Sequence, residues 1–419
     1  MRTILYHIGR LWQYRRREAL QTALRGEALK QVPYIDNAYL IIENGRIVEV
    51  GPMEELGPID GQGIDLKGRD VTPCWVDCHT HLVFAAPRLE EFRMRLAGMS
   101  YEEIAARGGG IYNSALRLRE MPEEELYQRA RRRLDLLIRM GTGAVEIKSG
   151  YGLDTDSELK MLRVIDRLKR ESPIPVRATF LGAHAIPPPY RDRREKYLHE
   201  VMYEMVPRIA GEKLAAYIDV FCERGYFTAE ETEQIILQGA KYGLKARIHT
   251  NQFSSSGGIE VAVRHRAVSV DHLEVLTDAE IHLLSQSEVM ATLLPGAAFF
   301  LHSPYPNGRA LVDSGARVAL ASDFNPGSCP TPNMFFVQAL ACLRCGLTPE
   351  EAFNAATVNA AYSLDLQGEV GAIAVGARAN LLVFDELKDL AQISYEICNT
   401  LRHSVIINGK WYGGNQIRP

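Results

Sequence analysis

Eight short apolar runs, separated by longer amphipathic stretches, constrain the fold of this 419-residue chain more than any other feature of its sequence. Such runs are typical of parallel strands buried on both faces, and the stretches between them have the spacing of amphipathic helices. Eight strand-then-helix units predict an α/β protein with a closed, TIM-like (β/α)8 barrel. A doubly wound sheet is the alternative, because a count of strands does not show closure. The runs begin near Val71, Gly143, Arg177, Tyr217, Lys245, Ala267, Val289 and Arg317.

Both ends of the chain have the pattern of β-strands instead. Residues 39–52 alternate apolar and polar side chains on both sides of a turn at Asn44-Gly45, which predicts a hairpin. Residues 379–385 and 405–412 also have strand patterns, and we expect the two ends to pair with each other. The sequence therefore predicts a small β-sandwich-like domain composed of residues 1–70 and 360–419, and a barrel domain of residues 71–359.

Composition excludes several classes of protein. A net charge of −4 argues against a general nucleic-acid-binding surface. No apolar run approaches the roughly 20 residues that span a bilayer, and charged residues interrupt the N-terminal segment where a secretory signal would need an apolar core. Seven irregularly spaced cysteines favour a reducing compartment, and we read the pair Cys342 and Cys345 as packed thiols. We therefore expect a cytoplasmic protein that binds neither nucleic acid nor a membrane.

Unusual polar residues lie at the carboxyl ends of the predicted barrel strands. In a (β/α)8 barrel these ends converge on one mouth, where active sites lie. Structural histidines scattered through a fold would not follow strand ends so consistently. The residues are His79, His81, Tyr151, His184, His249, Gln252, His272, Asp323 and Asn325.

Four of these residues suggest a metal site. His79 and His81 form His-Thr-His, and the period of two along a strand places both imidazoles on one face. His249 and Asp323 end two other predicted strands. Three imidazoles and a carboxylate suit Zn²⁺ or Fe²⁺. The alternative is four polar residues that satisfy one another by hydrogen bonds in a barrel mouth.

Two other residues have several possible roles. His272 could be a fifth ligand, a general acid or base, or an oxyanion donor, since an imidazole titrates near neutral pH. Lys148 lies near a strand end and could bridge two metal ions if it were carbamylated, but we favour an ion pair or hydrogen bond.

Substrate recognition is suggested by Arg88 and Tyr151. An arginine near a metal-binding mouth indicates a carboxylate on the substrate, although a surface ion pair is the alternative for Arg88 alone. The segment Asn325-Pro326-Gly327-Ser328 follows the predicted strand end at Asp323, and a glycine there allows close approach of a ligand. Gly108-Gly109-Gly110 lacks the residues of a phosphate-binding loop, so we interpret it as a flexible loop over the mouth.

The motifs that carry these residues resemble those of the imidazolonepropionase family in the amidohydrolase superfamily. The resemblance runs from about Leu40 to the final strands, and covers nearly the whole chain. It rests on VDCHTHLVFA, LAGMSYEEIAARGGGI, VEIKSGYGLD, FLGAH, DVFCE, SVDHLE and ASDFNPGS.

The resemblance implies an activity and a role for each site residue. The activity is metal-dependent hydrolysis of the cyclic amide bond of 4-imidazolone-5-propanoate to N-formimidoyl-L-glutamate, the third step of histidine degradation. One divalent ion, Zn or Fe, would be bound, and a homodimer is plausible. His272 and Asp323 would be catalytic. The metal ligands would be His79, His81, His249 and Asp323. The substrate-binding residues would be Arg88, which would hold the propanoate, and Tyr151, His184, Gln252, Asn325, Gly327 and Ser328.

Two other functions are compatible with the same motifs. Another amidohydrolase, such as a deaminase of a purine-like ring, would release ammonia and would not need an arginine for a carboxylate. A catalytically inactive barrel used as a scaffold subunit would have lost metal ligands, whereas this chain keeps all four candidates.

Overall fold

The computed structural model describes residues 2–99, 103, 109–397 and 401–413. These residues form two sheets and a set of helices. The strands are β1 (Arg2–Trp12), β2 (Tyr34–Glu43), β3 (Arg46–Pro52), β4 (Gln62–Asp65), β5 (Asp70–Pro73), β6 (Trp75–Asp77), β7 (Thr142–Lys148), β8 (Val176–Ala183), β9 (Tyr217–Cys222), β10 (Lys245–Thr250), β11 (Ser269–His272), β12 (Met290–Leu293), β13 (Arg317–Leu320), β14 (Leu381–Phe384), β15 (His403–Ile407) and β16 (Lys410–Tyr412).

The helices lie mainly between the strands of the second sheet. The α-helices are Leu89–Leu96, Ile111–Glu120, Glu123–Arg139, Thr155–Glu171, Arg194–His199, Val206–Gly211, Ala229–Lys241, Gly258–Arg264, Asp278–Ser285, Pro295–Leu301, Gly308–Asp313, Met334–Cys345, Pro349–Asn354, Ala360–Tyr362 and Gln392–Tyr395. Short 3-10 helices are Arg17–Leu20, Gly26–Lys30, Met53–Glu55 and Pro188–Tyr190, and π-helical turns are Glu200–Met205 and Ala355–Asn359.

The first sheet joins the two ends of the chain. Its strands run in the order β16-β15-β14-β5-β1-β2-β3, with β4 beside β1, so it is one mixed sheet. The ends pair where β14 lies antiparallel to β5, with Val383 opposite Val71. Asn44 and Gly45 both have positive φ, as the predicted hairpin turn between β2 and β3 requires.

The second sheet is the barrel. Strands β6 to β13 are parallel and lie in sequence order, without the reversal of order that a doubly wound sheet would show. Backbone hydrogen bonds join the two edges beyond the ladder: the amide of Asp323 donates to the carbonyl oxygen of His79 (3.0 Å), and that of His81 to Phe324 (2.9 Å). The predicted TIM-like (β/α)8 barrel is therefore confirmed.

The run that begins at Val71 differs from the expectation of one barrel strand. It divides at Cys74, where the chain leaves the first sheet and enters the barrel. The amide of Cys74 donates to Asn380 of the first sheet, and the next amide, of Trp75, donates to Gly141 beside β7. The chain therefore changes hydrogen-bonding partners within two residues, and Val71 belongs to the sheet built from the chain ends.

Helix starts follow their capping residues. The Asp154 side chain accepts a hydrogen bond from the Ser157 amide, and Thr228 forms a reciprocal capping box with Glu231. These caps fix helices within one residue of the sequence prediction. No helix among the described residues is long and apolar enough to cross a membrane. Gly108, part of the predicted loop over the mouth, lies outside the described residues.

Candidate metal centre

The four predicted metal ligands converge at the carboxyl end of the barrel. His79 and His81 follow β6, His249 lies in β10, and Asp323 follows β13. Each is at most 3% exposed. The shortest distances between their side-chain atoms are 3.5 Å from His79 Nε2 to Asp323 Oδ1, 3.6 Å from His81 Nε2 to Asp323 Oδ1, and 3.4 Å from His81 Nε2 to His249 Nε2.

This arrangement fits a divalent metal ion. Ligand atoms about 2.1 Å from an ion at tetrahedral angles lie about 3.4 Å apart, close to the separations seen here. His79 Nε2 is fully buried, and no described residue forms a hydrogen bond with it. An orphaned buried nitrogen of this kind would be costly unless something else binds it, which argues against four residues that merely satisfy one another.

Burial also keeps the candidate ligand histidines in the neutral form that binds a metal. It lowers the pKa values of His79 and His81 well below the usual range of histidine, so both imidazoles are neutral and have a free lone pair. Burial raises the pKa of Asp323 to about 6. The backbone at Asp323 has a φ of +53°, a strained conformation for a residue other than glycine, which is typical of functional sites.

Two buried carboxylates, which our sequence reasoning missed, hold the histidines from behind. His79 Nδ1 lies 2.8 Å from Asp271 Oδ2, and His249 Nδ1 lies 3.0 Å from Asp219 Oδ2. An Nδ1–H that donates to a carboxylate leaves the Nε2 lone pair for a metal. The available signal was an acid within an apolar strand: Asp219 in YIDVFC and Asp271 in SVDH.

Lys148 joins these two carboxylates. Its Nζ lies 2.8 Å from Asp219 Oδ2, 3.6 Å from Asp271 Oδ2 and 2.8 Å from Glu146 Oε1, and all four side chains are fully buried. Although burial opposes the ammonium form, Asp219 and Glu146 raise the pKa of Lys148 above its usual value. The lysine is therefore a charged ion-pair partner, and a carbamate would be repelled by three carboxylates.

His272 stands beside the ligand cluster. One of its ring nitrogens lies within 4.8 Å of ligand nitrogens of both His79 and His249. Its Nδ1 lies 3.4 Å from Glu274 Oε1. Burial opposes the imidazolium, but the charge of Glu274 outweighs it and raises the pKa of His272. Its φ of +93° is again a strained value, at the end of β11.

Arg88 approaches the mouth from the loop before the helix Leu89–Leu96. Its Nε donates to Ser114 Oγ (2.8 Å), and its guanidinium carbon lies 5.7 Å from the centre of the Tyr151 ring. At Gly327 a β-carbon would lie only 2.7 Å from Arg88 Nη1, so the absence of a side chain allows the guanidinium to lie there. Arg88 also lines a cavity of about 290 Å³ with Ser114 and Asn113.

A series of ring contacts connects Arg88 to the candidate metal ligand His81. The His184 ring lies 5.6 Å from that of Tyr151 and stacks at 5.5 Å on that of His81. His184 Nδ1 lies 3.0 Å from the carbonyl oxygen of Gly150. Gly150 has a φ of +109°, and a β-carbon there would lie 2.9 Å from that nitrogen. Burial lowers the pKa of His184 to about 3, so this imidazole is neutral.

Two loops complete the mouth. In the turn after β13, Asn325 Oδ1 accepts hydrogen bonds from the amides of Gly327 and Ser328 (both 2.7 Å), and Ser328 Oγ donates to Asp323 Oδ2 (3.3 Å). The turn therefore contacts a predicted ligand directly. Gln252 is buried in the loop after β10. The buried carboxylate of Glu223, which follows the neighbouring strand β9, holds this loop by accepting hydrogen bonds from the amides of residues 253 and 254.

Comparison with known proteins places the chain in a family. Residues 71–412 match the family model of the amidohydrolases, described as "Amidohydrolase family". Two proteins named imidazolonepropionase, from Flavobacterium johnsoniae and Christiangramia forsetii, are each 46% identical over 411 residues, which cover 98% of this chain and 100% of the relative.

A solved structure agrees on the fold. The crystal structure of 5-methylcytosine deaminase from Klebsiella pneumoniae, liganded with phosphonocytosine, matches with a TM-score of 0.72 at 20% identity and covers 100% of this chain and 99% of that one. At that identity the likeness concerns the fold alone. The family model and the near full-length relatives together show that this chain belongs to the amidohydrolase family and, within it, to the imidazolonepropionases.

Proposed function

We propose that this protein hydrolyses the cyclic amide bond of 4-imidazolone-5-propanoate, giving N-formimidoyl-L-glutamate in histidine degradation. The observation that carries the proposal is the presence, in one barrel mouth, of a three-imidazole, one-carboxylate cluster and of the Arg88 guanidinium beside Gly327. The first is suited to hydrolysis and the second to a substrate carboxylate. Named relatives at 46% identity support the same substrate.

His79, His81, His249 and Asp323 would hold the ion. A Lewis acid and a lowered pKa for water are what zinc or iron supplies in a site with these donors. Hydrolysis delivers a hydroxyl to the ring carbonyl carbon, breaks the ring C–N bond and leaves a proton on the departing nitrogen. Asp323 is our candidate for the proton carrier, since its Oδ1 lies beside the Nε2 atoms of His79 and His81 while its Oδ2 is a second oxygen, hydrogen-bonded by Ser328 Oγ.

The remaining residues would bind and orient the substrate. Arg88 would form paired hydrogen bonds with the propanoate, while Tyr151 and His184 would present their rings to the imidazolone. His272, held by Glu274, would donate a hydrogen bond to the oxyanion that forms at the carbonyl. We assign Gln252, Asn325, Gly327 and Ser328 to the wall of the same pocket.

Zinc or iron is our proposal for the metal, because imidazole and carboxylate donors suit both ions. We also propose that the enzyme is cytoplasmic and forms a homodimer. Gel filtration with light scattering would test the homodimer.

The decisive experiment follows the ultraviolet absorbance of freshly prepared 4-imidazolone-5-propanoate after addition of the purified, metal-loaded protein. We expect decay well above the spontaneous rate, one N-formimidoyl-L-glutamate per substrate and loss of activity with a chelator. No acceleration with either zinc or iron would refute the proposal. Ammonia release from purine-like rings, without turnover of the imidazolone, would identify a deaminase instead.

A further inference from the structure

Behind the candidate metal centre lies a second group of possible cation ligands. Asp219, His249 and Asp271 each offer a ligand atom within 4.8 Å of the others, and all three are buried. Glu146 adds a third carboxylate, since it shares Lys148 Nζ with Asp219 at 2.8 Å each. Oxygen-rich sets of this kind are typical ligands of hard divalent ions.

Asp271 has one oxygen in contact and one without a hydrogen-bond partner. Its Oδ2 contacts His79 and Lys148, whereas Oδ1 is buried and has no hydrogen-bond partner among the residues that the structure describes. The side chain of Asp271 is fully buried. Asp271 therefore keeps acceptor capacity that its contacts with His79 and Lys148 do not use.

The side-chain ammonium group of Lys148 lies among these carboxylates. Lys148 Nζ lies within 3.6 Å of Glu146, Asp219 and Asp271, so its single positive charge meets three carboxylates. Arg247, also fully buried, contributes more distantly, with a nitrogen 3.9 Å from Asp271 Oδ2. Burying carboxylates without a compensating cation is strongly unfavourable.

We propose that the Lys148 ammonium occupies a second cation site, composed of Glu146, Asp219 and Asp271, and so restricts the centre to one metal ion. The lysine replaces a divalent ion with a covalently tethered charge in the same place. Removing both its charge and its volume opens the site to a second ion, whereas removing only its charge does not.

Two substitutions separate charge from space. Lys148→Ala removes the ammonium and leaves room for an ion with its waters. Lys148→Met removes the charge but fills much of the same volume. Each protein is equilibrated with Mn²⁺ by dialysis, and manganese per chain is measured by atomic spectroscopy, which requires no activity.

We expect one manganese ion per chain in the unsubstituted protein, and one more in Lys148→Ala than in Lys148→Met. Adding Glu146→Gln to Lys148→Ala removes a ligand that does not contact an imidazole, and is expected to return the count to that of Lys148→Met. Equal counts in the alanine and methionine variants would overturn the proposal. So would two ions in the unsubstituted protein.

Folding provides an independent readout. If a divalent ion can replace the ammonium, Mn²⁺ raises the unfolding temperature of Lys148→Ala by more than it raises that of Lys148→Met. Recovery of soluble Lys148→Ala only from Mn²⁺-supplemented cultures would support the proposal in the same way. A Lys148→Ala protein that stays insoluble with and without Mn²⁺ would contradict it.

Discussion

The two sides of the barrel mouth are built very differently. On the metal side, His79 and His249 are at most 3% exposed, lie at strand ends and are each held by a buried carboxylate. On the substrate side, Arg88 lies in a loop, has an 11% exposed side chain, and contacts Ser114 through a hydrogen bond of 2.8 Å and Glu91 through an ion pair of 3.8 Å. The difference indicates that the chemistry depends on fully buried groups at strand ends, whereas recognition depends on a more accessible side chain in a loop.

The largest expected effect comes from the metal side. Asp323→Asn removes the candidate proton carrier and one ligand charge, and we expect kcat to fall by roughly 10²- to 10⁴-fold. Stopped-flow absorbance with saturating imidazolone measures it. Asp313→Asn, which removes a carboxylate that is 64% exposed, is the matched control and should leave kcat unchanged. A change mainly in KM would contradict the assignment.

The next largest effect is expected at Asp271, the carboxylate that contacts the candidate metal ligand His79. Asp271→Asn leaves His79 in place but weakens the acceptor at its Nδ1, so we expect the metal to bind about 10- to 100-fold more weakly. Competition with a chromophoric chelator gives the affinity directly. Unaltered affinity in a folded variant would show that the His79 orientation does not depend on Asp271.

Arg88→Ala should have a smaller effect than the substitutions at the metal centre, and it should change KM rather than kcat. Loss of hydrogen bonds to a charged partner costs about 1.5–3 kcal/mol, which predicts a KM roughly 10- to 150-fold higher with kcat nearly preserved. Arg88→Lys keeps the charge and loses the paired geometry, so its KM should be intermediate. If Arg88→Ala left both binding and turnover intact, the contrast between the two sides would fail.

The smallest effect is expected at Ser114. Ser114→Ala removes the hydroxyl that accepts the hydrogen bond of Arg88 Nε, at about 0.5–1.5 kcal/mol, so KM should rise roughly 2- to 10-fold. An imidazolone without the propanoate is the control substrate, and the variant should treat it like the unsubstituted enzyme. An equal loss with both substrates would indicate general disturbance of the helix Ile111–Glu120.

The sequence predicts the barrel well because its strands are buried on both faces. The run at Gly143 illustrates this, since every residue of β7 is buried. The histidines could be grouped because strand ends meet at one mouth. Asp219 and Asp271 were missed because their partners lie on other strands, at sequence separations that no local pattern reveals: Asp219 contacts Lys148, and Asp271 contacts His79.

The sheet built from both chain ends has a consequence for synthesis in the cell. Val71 of β5 cannot pair with Val383 of β14 until about 300 further residues have been translated. At about 5–20 residues per second, this delay is roughly 15 to 60 s. Through that time the nascent β1–β5 segment presents an unpaired strand edge, which makes it a natural client for ribosome-associated chaperones. A stalled or truncated chain that stops before β14 would be left with that edge permanently open to aggregation.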